Sequence, residues 1–229
     1  MSHNVLIIGA GSGLSAALAR TFANAGMTVG LAARNIEKLE PLVSEIDGKA
    51  FACDATEPDA VATLFCDFDN QIGSPDIMIY NPSLRIPGPI TDVDPVATKE
   101  ALMVSAYGAF LAAQQAARRM LKSGGGAMLF TGASAGVKGY ARSAPFAMGK
   151  FALRGLCQSL ARELAPQNIH IAHFVIDGVI LNQDRGAPYD DAAKALDPLE
   201  IARTYLYIAG QDASAWTWEI ELRPSVESF

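Results

Sequence analysis

The sequence predicts one α/β domain, a doubly wound parallel sheet of about seven strands with helices on both faces. Three observations predict it. Short apolar runs, suited to strands buried on both faces, alternate with longer segments of helical periodicity along the whole chain. There is no internal repeat and no linker, so residues 1–229 read as a single unit. Half of the 229 residues are hydrophobic and 18% are charged, a globular composition able to bury a full core.

Taken in order, Val5 to Ile8 is the first strand. Gly9, Gly11 and Gly13 crowd the turn after it, and an Ala/Leu-rich helix runs to Ala25, where Gly26 stops it. Met27 to Ala33 is the second strand. Arg34-Asn35 follows, then a helix to Ile46 with Glu37, Lys38 and Glu45 on its wet face. Lys49 to Cys53 is the third strand, closed by Asp54-Ala55-Thr56. From Glu57 to Gln71, Val61, Leu64, Phe65 and Phe68 fall at helical spacing. Asp76 to Tyr80 is the fourth strand and ends in Asn81-Pro82. Ser83 to Asp94, with Pro87, Gly88 and Pro89, reads as a surface excursion. Asp94-Pro95 opens a long helix to Lys122, ended by Gly124-Gly125-Gly126. Ala127 to Thr131 is the fifth strand, and Pro145 opens a second long helix to Leu164. Ile169 to Ile176 is the sixth strand, and Gln183 to Pro198 is a polar stretch suited to a lid. Leu199 to Gly210 is a helix, and Trp216 to Leu222 closes the sheet as an edge strand.

Composition narrows the function. A net charge of −6 and the lack of any Lys/Arg run argue against nucleic acid as a partner. No apolar run reaches membrane-spanning length and the first strand starts by Asn4, so a cytoplasmic protein with no membrane partner is expected. Cys53, Cys66 and Cys157 lack CxxC spacing and read as reduced core residues. His3, His170 and His173 show no metal spacing, so no metal site is expected. His170 and His173, an odd number apart on one strand, face opposite sides of the sheet. Trp216 and Trp218 share a face of the last strand, for packing or a subunit contact.

The opening turn carries the chemistry. A strand, a glycine turn and a helix N-terminus make an anion site, because the free N–H groups of the first turn and the helix dipole favour a phosphate. A Cβ there would block backbone approach, so Gly9, Gly11, Ser12, Gly13 and Leu14 are expected to cradle a dinucleotide pyrophosphate. An acidic residue gripping the ribose hydroxyls of NAD belongs near Ala33, where the chain instead has Ala33-Arg34-Asn35. A guanidinium pairs with a 2′-phosphate through two charge-assisted hydrogen bonds, so NADP (NADPH) is preferred over NAD. The alternative is that Arg34 is a solvated helix-start residue. Asp54 and the Ala55 N–H are placed to meet the adenine, and Asn81 the adenosine side of the cofactor. Each also fits a turn-forming role.

With these positions in place the chain resembles the short-chain dehydrogenase/reductase family over nearly its whole length. The family's Thr-Gly-x-x-x-Gly-x-Gly appears as Ile8-Gly9-Ala-Gly-Ser-Gly13-Leu-Ser15, and its Asn-Asn-Ala-Gly as Tyr80-Asn81-Pro82-Ser83. Ala152 to Leu164 looks like the helix after the family's catalytic Lys. Val175-Ile-Asp-Gly-Val-Ile180 looks like its Pro-Gly loop beside the nicotinamide, with Asp177 where Pro is usual and Gly178 and Ile180 against the cofactor. The resemblance implies a Rossmann-type NAD(P)-binding domain, and a homodimer or homotetramer paired through the two long helices.

The resemblance also implies a Tyr four residues before a Lys on one helix face. The Lys lowers the phenol's pKa and binds the nicotinamide ribose while the phenol exchanges a proton with the substrate oxygen. Lys150 is present, and Phe146 stands in the Tyr position. The family's Ser falls on Ala133 and its helix Asn on Ser105. Phe carries no proton. Ser134, Tyr140 and Ser143 are the nearby hydroxyls that stand as substitutes, each with a plain loop reading beside it. Asp177 is a new titratable group beside the nicotinamide position, or a turn carboxylate.

Three functions are then in play. The first is an NADP-dependent oxidoreductase with an altered catalytic set, acting on a small carbonyl, alcohol or activated alkene. The second is a non-catalytic NADP(H)-binding sensor or subunit protein. The third is a methyltransferase, since the glycine turn also fits S-adenosylmethionine. That reading wants an acidic residue where the chain has Ala33-Arg34.

Overall fold

The computed structural model describes residues 3–182 and 195–226. Its main sheet joins β1 (Asn4–Ile8), β2 (Thr28–Ala33), β3 (Lys49–Ala52), β4 (Ile77–Tyr80), β5 (Gly126–Thr131), β6 (Ile169–Ile176) and β9 (Glu219–Leu222). The order is β3-β2-β1-β4-β5-β6-β9, with every neighbouring pair parallel. β7 (Val179–Ile180) and β8 (Ala195–Leu196) form a separate parallel pair.

The apolar runs that lack alternation in sequence are explained by two cores. Val5 and Ile7 point into one, with Leu31, Ile79, Leu129 and Phe174. It is closed by α1 (Leu14–Asn24), α2 (Glu40–Ile46) and α7 (Pro198–Ala209). Leu6 and Ile8 point into the other, with Met78, Phe130 and Ile171, under α3 (Pro58–Gln71), α5 (Gly108–Ser123) and α6 (Ala144–Leu164). Each such side chain contributes about 1.5–3 kcal/mol when fully buried, and the buried polar residues on these strands, Thr131, His170 and His173, are each hydrogen-bonded.

The long helix expected from Asp94 to Lys122 is not continuous. α4 (Pro95–Leu102) passes through a π-helical segment, Met103–Tyr107, before α5. Two contacts favour the bulge. The Tyr80 hydroxyl donates to the Val104 carbonyl at 2.6 Å. Ser105 is pressed against Gly149 of α6, where an added Cβ would lie 2.9 Å from the Ser105 Cβ. A π-bulge is the local cost of seating those contacts inside one helix. The ends of this unit follow sequence logic. Asp94 caps α4 by accepting from the Val96 and Ala97 N–H groups, and Gly124 at φ +90 ends α5.

Other expectations need correction. The segment after Arg34-Asn35 starts as a 3-10 turn, Glu37–Leu39, before α2. The last strand starts at Glu219, so Trp216 and Trp218 lie in the connection ahead of it. Trp216 stacks on His170 at 4.8 Å between ring centroids. Cys66 is exposed on α3, while Cys53 and Cys157 are buried. Of the stretch from Gln183 to Pro198 expected as a lid, residues 183–194 lie outside the described residues. Ala195–Leu196 is a strand, and Pro198 opens α7. Among the described residues no helix is long and apolar enough to cross a membrane, and no three His, Cys, Asp or Glu side chains gather as a metal set.

Candidate nucleotide groove and catalytic wall

The strand order reverses direction between β1 and β4, and a groove of about 1520 Å³ crosses the carboxyl ends of the strands there. The glycine turn after β1 forms its middle. Gly9 sits at φ +82, and an added Cβ would come within 2.7 Å of Pro82, so only glycine fits. The Gly9 and Ala10 N–H groups both donate to the Ala32 carbonyl at 2.9 Å. Ser15 Oγ donates to the Gly9 carbonyl at 2.9 Å, and Asn81 Nδ2 donates to Ser15 Oγ at 2.7 Å. Asn81 therefore braces the turn while also lining the groove. Gly11, Ser12, Gly13 and Leu14 line it too, with open space where a Gly11 Cβ would stand. No side chain caps α1 and its first turn holds no acid, which leaves an N-terminus able to meet an anion.

Arg34 and Asn35 line one end. Asn35 Oδ1 accepts from the Glu37 N–H at 3.0 Å, and Arg34 is exposed. Asp54 and Ala55 form the adjoining wall. Asp54 is held below the usual carboxylate range by the Thr56 N–H at 2.9 Å and the Thr56 hydroxyl at 2.7 Å, with Arg34 adding a further push. The turn-forming role of Asp54 is thus real, and its side chain still borders the groove.

At the other end stands Lys150, only 1% exposed, its Nζ donating to the Thr131 carbonyl at 2.8 Å. Burial lowers its pKa from 10.5 to about 8. The Phe146 ring lies 5.8 Å from Nζ, and Ala133 lines the same wall. Ala133 is extended (φ −159, ψ 162) and a 3-10 turn, Ser134–Gly136, starts right after it, so Ser134 reaches the groove beside Ala133. Tyr140, Ser143, Gly178 and Ile180 also line this end. Ser105 does not. It is fully buried behind the wall against Gly149, its hydroxyl without a partner among the described residues. Asp177 lines the groove with its carboxylate 2.9 Å from Arg223 and 3.9 Å from Lys138, which makes it a paired anion in the floor.

A protein-family model described as short chain dehydrogenase matches residues 3–181. The chain belongs to the short-chain dehydrogenase family. A crystal structure of a short-chain dehydrogenase from Rhodopseudomonas palustris is 34% identical with a TM-score of 0.84, covering 97% of this chain and 98% of that one. The 3-oxoacyl-[acyl-carrier-protein] reductase MabA of Mycobacterium tuberculosis is 26% identical over 224 residues, 93% of this chain and 88% of that protein. A metagenomic short-chain oxidoreductase solved in complex with NADP shares the fold, at 24% identity and a TM-score of 0.85 over 99% of both chains.

In this short-chain dehydrogenase the groove holds residues that sequence reasoning passed over. Lys38 lines it four residues after Arg34, a spacing that was available as a signal. Asn182 presses on the turn, its Nδ2 3.0 Å from where a Gly13 Cβ would lie. Arg85, in the loop read only as an excursion, lines the groove with its guanidinium 5.9 Å from the Phe146 ring centroid. The residues present fit a phosphorylated dinucleotide. The glycine cradle has no room for a Cβ at Gly9, cations stand at one end, and a buried ammonium at the other uses one of its three donors on Thr131.

Proposed function

We propose that this chain binds NADP(H) in preference to NAD(H) and is an oxidoreductase acting on a small carbonyl, alcohol or activated alkene with no phenol at the position of Phe146. The buried ammonium of Lys150 carries the reading. A fully buried cation leaning on one carbonyl is costly unless a ligand completes its shell, and the ribose hydroxyls of a nicotinamide nucleotide would do so. Arg34, with Lys38 beside it, would fork onto the 2′-phosphate, and the Gly9 to Leu14 turn would take the pyrophosphate. When bound, the nicotinamide supplies or accepts hydride. The chain's own part is to hold a proton near the substrate oxygen, and with Phe146 in place Lys150 is the group tuned for that. A pKa of about 8 keeps it protonated at neutral pH and able to pass a proton through a water. Loss of a positioned general acid costs about 10²–10⁴-fold, so activated alkenes and polarised carbonyls are the favoured substrates.

Ala133 and Phe146 favour a second reading, a nucleotide-binding sensor or subunit protein that performs no reaction. A fluorescence titration with NADPH and NADH, followed by NADPH oxidation against carbonyls and activated alkenes, separates the two. Turnover by the unaltered chain is expected. Turnover only after Phe146→Tyr would establish the sensor reading instead. Arg34→Ala should weaken NADPH roughly 10-fold or more and NADH little; equal loss for both would refute the 2′-phosphate assignment. No nucleic-acid or membrane partner enters this reading, and a cytoplasmic setting suits it. The exposed Phe110 of α5 and Met148 and Phe151 of α6 suit self-association through the long helices.

A further inference from the structure

We propose that Arg85 is an anion receptor at the substrate end of the groove, so that the substrate carries a carboxylate close to its reacting carbon. This rests on the NADP(H) oxidoreductase reading for which end is which. Arg85 belongs to the loop between β4 and α4, which is tied to the segment before α6 by the Gly88 N–H donating to the Arg142 carbonyl at 3.0 Å. Its guanidinium is exposed, stands over the face of Phe146 and makes no hydrogen bond or ion pair among the described residues.

Arg20, Arg119, Arg154, Arg203 and Arg223 are each tied to a carboxylate. Of the described arginines without a carboxylate partner, Arg34, Arg85, Arg118, Arg142 and Arg162, only Arg34 and Arg85 line the groove, and they sit at opposite ends. The charge around Arg85 is one-sided. Lys150 Nζ lies 5.8 Å from the same Phe146 ring, and Asp177, which also lines the groove, is already held by Arg223 and Lys138. A neutral ketone would leave Arg85 unanswered.

Geometry supplies the complement. With Phe146 and Ala133 in place, no phenol and no serine at those positions can hold a substrate oxygen. A guanidinium fork gripping a carboxylate in two parallel bonds restores fixed orientation by a different handle. The Phe146 ring lies 5.9 Å from the Arg85 guanidinium carbon, within cation–π range. The chemical class is thus a short oxo acid or an alkenoic acid, with the carboxylate on Arg85 and the reacting carbon toward Lys150.

The test uses 2-oxo and 3-oxo acids of three to six carbons and their methyl esters, with binding followed by isothermal titration calorimetry on the protein saturated with NADP+, which has no hydride to give. The acids should bind at least 10-fold more tightly than their esters. Arg85→Gln should remove that advantage, a loss of roughly 10- to 100-fold for the acids, and Arg85→Lys should restore part of it. NADPH affinity, measured separately by fluorescence, should not change in Arg85→Gln. Equal binding of acid and ester, or acids that bind Arg85→Gln as well as the unaltered chain, overturns the proposal. A drop in NADPH affinity in Arg85→Gln also overturns it, by giving Arg85 to the nucleotide. If NADPH does not bind at all, the nucleotide reading fails on its own. Acid binding by the free protein that depends on Arg85 would then still uphold the anion receptor, and its absence would overturn it.

Discussion

Lys150 concentrates the residue-scale argument. Its folded pKa of about 8 lies below the ordinary 10.5 because burial disfavours the charged form. Between those two values an unfolded chain keeps the proton that the folded chain has released, so this residue makes stability rise with pH across that window. The buried Tyr80, Tyr205 and Cys157 have their pKa values pushed up by burial and act in the opposite sense at high pH. The comparison must therefore be a difference. Urea unfolding at pH 7.5 and pH 10 should show the unaltered chain gaining up to about 3 kcal/mol on Lys150→Met between the two. A constant gap between the proteins would contradict the lowered pKa. At this scale the sequence was informative wherever spacing on a helix carried the meaning, as for Phe146 and Lys150. It was mute for Arg85, because a loop segment bracketed by Pro82 and Pro87 has no period from which a side chain's direction can be read.

At the scale of elements, the contact between the π segment and α6 sets where the Lys150 wall of the groove stands. Gly149 lies against Ser105, and its neighbour Lys150 enters the groove. Gly149→Ala would force the two elements apart, and a loss of about 1–3 kcal/mol in chemical unfolding is expected from overpacking. Gly155 on the same helix has open space around it, so Gly155→Ala should be neutral or stabilising, by about 0.5–1 kcal/mol. Equal effects at both sites would show that α6 does not lean on the bulge. The strands were legible to within a residue or two for most of the sheet, since continuous apolar runs bounded by glycine and proline have few other uses. The bulge was not legible. It depends on a tertiary hydrogen bond from Tyr80, and Met103 to Tyr107 reads as ordinary helix until that partner is in place. The edge strand was read as too long at its start because Trp216 and Trp218 look like strand residues, while what they do is cover His170 and approach Arg154.

For the molecule as a whole, the charge is negative while the groove gathers Arg34, Lys38 and Lys150 around the proposed nucleotide path. With the groove's acids Asp54 and Asp177 held by Thr56 and by Arg223 and Lys138, these cations give it a local positive bias within a negative protein. Salt shortens the reach of that bias, from about 10 Å at 0.1 M to about 3 Å at 1 M. NADPH affinity should therefore fall several-fold between 0.05 M and 0.5 M NaCl in a fluorescence titration, and NADH affinity clearly less. Parallel slopes for the two nucleotides would remove the 2′-phosphate from the account. Fold and groove were readable together because a parallel sheet puts its ligand at a place that strand order alone defines. Net charge, by contrast, averages over the surface and conceals where the cations meet.

The pairing of Asp177 with Arg223 has a kinetic side. Asp177 follows β6 and Arg223 follows β9, and these strands are neighbours in space with the whole of α7 between them in sequence. Until β9 docks, the groove floor holds a carboxylate with its main counter-charge still on an unplaced segment. Docking of the edge strand therefore completes the charge pairing of the groove floor, where Lys138 alone would otherwise face Asp177.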